Sequence, residues 1–192
     1  MFCQPILCQA GTSLRKIQRR RETAPGYSGI SIPHGRDLDA PQRRRPAPAE
    51  NERARRAAGA VAGADRDRMC LIGNGFGGVL AMLAAERGLG LKAVANFAGA
   101  ASTWNRHPPL RERLLRAARG ARIPVYIAQA ANDYSTDPTL RLGETLAAAG
   151  KAHRARIWPA YGPSADAGHG FGIYGSEQWA PEVLEFFRAT GP

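Results

Sequence analysis

The stretch Met69-Cys70-Leu71-Ile72-Gly73-Asn74-Gly75-Phe76-Gly77-Gly78 decides how this chain is read. Its first four residues form a short continuous apolar run, the pattern of a buried parallel strand. Glycines then interrupt it, and from Phe76 to Arg87 the apolar residues Val79, Leu80, Met82 and Leu83 read as a helix that is apolar nearly all round, closed by Gly88. Strand, glycine turn and helix in succession are the unit of an α/β sheet. The unit repeats downstream. Leu91 to Phe97 reads as a second strand and Leu110 to Ala118 as a helix with Arg111, Arg113 and Arg116 outward; Pro124 to Ala128 is a third strand. Asp137-Pro138 opens a helix that Gly150 stops, Arg154 to Trp158 makes a fourth strand, and Trp179, Val183, Phe186 and Phe187 recur at helical spacing from about Ser176 to Ala189. Strands alternating with helices predict a mostly parallel sheet between helical layers.

The glycine cluster admits two readings. Gly73, Gly75 and Gly78 fit the G-x-G-x-x-G spacing of a dinucleotide-binding loop. That reading calls for an acidic residue at the end of the next strand, where this chain has Phe97-Ala98-Gly99. The alternative is a nucleophile elbow, G-x-S-x-G, in which a strained strand-to-helix turn presents one side chain above the sheet. Gly73-Asn74-Gly75-Phe76-Gly77 fits that frame, and its partners occur in the required order. Asp133 follows the third strand, and His169 lies in a Gly168-His169-Gly170-Phe171 loop ahead of the last helix. Asp133 also has a plain reading as a turn residue, but chain order with His169 favours the acid. Flanking glycines give His169 little to pack against. His34, His107 and His153 lack such context and read as surface residues.

Met69 to Gly78, Val94 to Gly99, Gln129 to Thr136 and Gly168 to Trp179 together resemble the α/β-hydrolase fold, and within it the dienelactone-hydrolase-like proteins, over residues 65–190. The resemblance implies a three-layer sheet, Asp133 and His169 as triad acid and base, the Phe76 backbone N–H as one oxyanion donor, and a small ester or lactone as substrate. It implies no cofactor and no metal. This chain departs from the family at the elbow itself, where Ser or Cys would stand and Gly75 offers no nucleophilic atom. Asn74 is not a nucleophile, and Cys70 lies within the strand, where a small buried core residue is expected. Residues 1–60 do not resemble the family's earlier strands and oxyanion loop, so the sheet is expected to be incomplete on its N-terminal side. The second oxyanion donor has no candidate.

The chain's 192 residues, 44% hydrophobic and 22% charged, suffice for one domain with a sizeable core. The net charge of +11 is uneven, with +7 of it on residues 1–68, and the cations are 24 Arg to 3 Lys. Residues 1–51, with arginine runs at 19–21 and 43–45 and no sustained period, are expected to be a poorly ordered basic extension. An Ala/Arg-rich helix is expected within Glu52 to Ala64, and the hydrolase-like domain over 52–192. No aromatic platform accompanies the arginines, so a nucleic-acid partner is not expected. No run reaches the roughly 18 apolar residues of a membrane span, and the basic residues follow rather than precede the apolar Met1 to Ala10, the wrong order for a secretory signal. Cys3, Cys8 and Cys70 show neither metal spacing nor a disulfide framework, so reduced thiols and a cytoplasmic location are the default. Three functions fit: an ester or lactone hydrolase impaired at Gly75, a non-catalytic binding module on the same fold, or the product of a truncated or frame-shifted gene. Oligomeric state is not legible.

Overall fold

The structure, a computed structural model, describes residues 69–190 and the backbone of residues 6–9. Five strands form one sheet in the order β1-β2-β3-β4-β5. They are β1 (Ile6–Gln9), β2 (Met69–Asn74), β3 (Ala93–Phe97), β4 (Val125–Ala130) and β5 (His153–Trp158). Strands β2 to β5 are parallel; β1 pairs antiparallel with β2, Ile6 opposite Ile72 and Gln9 opposite Met69. Ile6–Gln9 falls within the basic extension expected at 1–51. Four residues are too few to display a period, and the backbone groups on the free side of β2 require partners. The remainder of that extension, and the helix expected at Glu52 to Ala64, lie outside the described residues.

Parallel neighbours need crossovers, and α1 (Phe76–Arg87), α2 (Pro108–Arg119) and α3 (Asp137–Ala148) supply them. Because each successive strand adds on the same side, right-handed crossovers put all three helices on one face. Pleating then divides the core. On β3 and β4, Val94, Val125 and Ile127 meet Val79, Met82, Leu114, Leu142 and Leu146 of the crossover helices. Their neighbours Ala93, Ala95, Phe97, Tyr126, Ala128 and Ala130 point to the opposite face, against Phe171, Trp179, Val183, Phe186 and Phe187. Those residues lie on α5 (Phe171–Tyr174) and α6 (Ser176–Ala189), which follow the one-turn helix α4 (Ala165–His169). The result is the expected three-layer α/β arrangement.

At the outer side of β5 the chain is polar. Arg154 and Arg156 are exposed and both pair with Glu182 of α6, while the Arg156 guanidinium stacks 4.0 Å from the Trp158 ring centroid. Glu182 also accepts a 3.0 Å hydrogen bond from the Tyr126 hydroxyl. Burial, reinforced by the Glu182 charge, pushes the Tyr126 phenol far above its ordinary value. The unfolded chain loses this proton near pH 10 and the native state keeps it. Stability that is complete below pH 10 therefore falls as pH rises, by about 1.4 kcal/mol per unit from this group. Tyr126→Phe should flatten the alkaline loss by about one proton's slope, which urea unfolding at a series of pH values between 9 and 11.5 will read.

Candidate functional site

The sheet's carboxyl edge gathers the three positions singled out in the sequence. Gly75 follows β2, Asp133 follows β4, and His169 ends α4, beyond β5. Between β2 and α1 the chain turns on Gly75 alone, whose φ of 57° and ψ of −118° lie in a region that L side chains seldom occupy. Its N–H donates to the Phe97 carbonyl at 2.9 Å, fixing the turn to the end of β3. Gly73 serves the same turn differently: a Cβ there would collide with the Gly77 carbonyl, so strand and helix can approach this closely only without one. Cys70 is wholly buried within β2, as a core residue would be.

Asn74, just before the turn, donates from Nδ2 to the His169 carbonyl at 3.1 Å. That bond ties the Gly75 turn to the histidine segment across 95 residues of sequence. The His169 imidazole approaches Asp133, with Nδ1 2.9 Å from Oδ1. A carboxylate only accepts, so Nδ1 carries the proton, and Nε2 has no hydrogen-bond partner among the described residues. The Asp133 side chain has no exposed surface. Besides the imidazole, its Oδ1 accepts from the Tyr134 N–H at 2.7 Å and its Oδ2 from Gln129 Nε2 at 3.2 Å.

The sequence reading missed three residues here. Gln129 is buried on β4, donates also to the Ser135 carbonyl at 2.6 Å, and accepts from Thr139 Oγ1 at 2.6 Å. Its signal was present, as the lone polar side chain of the strand Val125–Ala130. Asn132 accepts from the Tyr161 N–H at 2.8 Å and donates to the carbonyls of Tyr161, Gly162 and Ser164, so the loop after β5 is knotted to the acid turn. Tyr134 lays its ring on the imidazole, with centroids 5.2 Å apart. His169 itself stands at the end of α4 rather than in the expected loop. Ser164 caps that helix by accepting from the Ala167 N–H at 3.2 Å, and Gly168 lies so close to Asn132 that a Cβ would clash. The other histidines do not join the site: His107 Nδ1 accepts from the Leu110 N–H, capping α2, and His153 Nδ1 meets the Lys151 carbonyl. His34 lies outside the described residues.

Among the described residues no three His, Cys, Asp or Glu side chains cluster as a metal site requires, and no helix is long and apolar enough to cross a membrane.

A sequence profile of the dienelactone hydrolase family matches residues 32–183, beginning upstream of the boundary expected at residue 52. Among solved structures, acylaminoacyl peptidase of Pyrococcus horikoshii is similar with a TM-score of 0.53 at 20% identity, over 72% of this chain and 26% of that one. A Klebsiella pneumoniae protein described as a dienelactone hydrolase gives 0.51 at 20% identity, over 73% of this chain and 59% of that one. Dipeptidyl peptidase 4 of Porphyromonas gingivalis gives 0.50 at 17%, over 73% and 22%. The chain thus spans less than two thirds of each of these proteins. At such identities the likeness is one of fold, the α/β-hydrolase fold. No curated protein matches the chain.

The support of Asp133 can be tested by charge. Gln129→Glu keeps the shape and the Thr139 contact but sets a second carboxylate against a buried one, costing about 2–4 kcal/mol at pH 8. Like-charge repulsion raises the new group's pKa in the folded state, so the native state holds the extra proton as pH falls. The deficit relative to the unaltered chain should shrink from pH 8 to pH 5 in urea unfolding.

Proposed function

Since the chain belongs to the dienelactone hydrolase family, we propose that its carboxyl-edge site is a hydrolase site for small carboxylic esters or lactones whose nucleophile position, Gly75, is vacant. The observation that supports this reading is the Gly75 turn. It has the strand-to-helix placement and positive φ of a nucleophile elbow, and Asn74 beside it is bonded to the backbone of a histidine whose Nδ1 meets a buried carboxylate. In the proposed roles Asp133 fixes the tautomer, His169 Nε2 is the general base, and the Phe76 N–H, at the positive end of α1, faces a developing oxyanion. Residues 52–192 are assigned to the hydrolase-like domain.

Without an oxygen or sulfur at Gly75 no acyl-enzyme forms, and the histidine can only activate water. Loss of a nucleophile in a serine protease costs about 10⁶ in kcat, which sets the scale of activity expected to be missing. A second reading, a non-catalytic module that binds an acyl compound at this site, rests on the same missing side chain.

Gly75→Ser separates them. The serine must adopt a positive φ, at a cost of about 1–3 kcal/mol. The unaltered chain should show little or no turnover of short aryl esters, and Gly75→Ser should hydrolyse them with a burst of acyl-enzyme. Adding His169→Ala should abolish the gain. A folded Gly75→Ser without activity favours the binding module; brisk turnover by the unaltered chain would show that another residue does the chemistry.

A further inference from the structure

Helix α4, which carries His169, is too short to hold its own shape. A single turn fixes several residues for very few hydrogen bonds and is unfavourable in isolation. What orients the imidazole must therefore come from outside α4. The Asp133 carboxylate holds one ring nitrogen, but one hydrogen bond leaves the ring free to swing about it.

Tyr134 supplies the second constraint. Its backbone N–H donates to Asp133 Oδ1, the oxygen that meets His169 Nδ1. Its ring packs against the imidazole at a 52° tilt, and its hydroxyl donates to the Asp166 carboxylate. Asp166 stands three residues before His169, on the same side of α4. One residue thus grips the acid through its backbone, covers the base with its ring, and fastens the base's helix with its hydroxyl. Tyr134 is nevertheless 47% exposed, so core packing does not account for it. The Asp166 carboxylate, foremost through that hydrogen bond, raises the Tyr134 phenol above its ordinary value.

We propose that Tyr134 and Asp166 form a strap across His169, acting as positioning residues that hold the imidazole against Asp133 and shield their shared proton from water. The proposal rests on the reading of Asp133 and His169 as the acid–base pair. Neither strap residue gives or takes a proton in the proposed reaction.

The test follows the His169 Nδ1 proton by NMR, in the unaltered chain and without substrate. A proton held between imidazole and buried carboxylate resonates far downfield and exchanges slowly, and His169→Asn assigns it by its disappearance. Tyr134→Phe keeps the ring and loses the hydroxyl; Asp166→Ala removes the acceptor at an exposed position. Each should accelerate exchange about tenfold, the scale of one charge-assisted hydrogen bond. The double variant should be no faster than either single one, because both break the same bond. Thermal transitions close to that of the unaltered chain will show that exchange reports the site and not global unfolding. Exchange altered by less than about twofold in Asp166→Ala, or single effects that multiply in the double variant, would overturn the strap. Should the unaltered chain lack the downfield proton, the acid–base pair fails along with the strap. A proton that is present but indifferent to both substitutions removes the strap alone.

Discussion

A carboxylate without exposed surface stays charged only where donors replace its water, and Asp133 has three: an imidazole, a backbone amide and the Gln129 side chain. Each donor comes from a different structural source. The imidazole arrives from beyond β5, the amide belongs to the turn itself, and Gln129 projects from β4. Desolvation and satisfaction are therefore coupled to assembly of the whole carboxyl edge. Losing any one donor leaves a buried charge short of a partner, which is far more costly than losing a surface contact. Asn132 belongs to the same scheme, since it bonds the backbone between β5 and α4 and so delivers the segment that ends in His169.

Gly75 sets the opposite constraint. Its backbone is held in a conformation that glycine adopts freely and other residues adopt under strain. A chain carrying glycine there is relieved of strain where the fold would ordinarily store it, and it also lacks the side chain that such a turn would display. In the proposed reading, the Asp133–His169 pair on one side and the relaxed turn on the other frame a position that carries no side chain.

Much of this was legible in the sequence, for identifiable reasons. The bounds of α1 and α6 follow from apolar spacing and glycine stops, and the parallel sheet follows from strands alternating with helices. Asp133 is legible through its order after the glycine turn, and His169 through that order together with its flanking glycines. Gln129 stands out as a polar residue in an apolar strand, but its Asp133 and Thr139 partners are set by tertiary packing. His169 was expected in a loop because Gly168 and Gly170 are poor helix formers; α4 exists through the Ser164 cap and the Asn132 bonds, which are tertiary facts. The strand at Ile6–Gln9 is invisible for a related reason: its partner lies some sixty residues away, and four residues carry no period.

The outermost position of β5 among the described strands has a consequence beyond the site. A strand at the margin of a sheet offers unpaired backbone groups to any extended segment that drifts past, another copy of the chain included. Here that margin carries Arg154 and Arg156, held in place by Glu182 and, for Arg156, by the Trp158 ring. A second such strand laid alongside would bring like charges together and strip water from them. Arginines so placed disfavour that kind of pairing, by the general rule that charge on a marginal strand opposes edge-to-edge association.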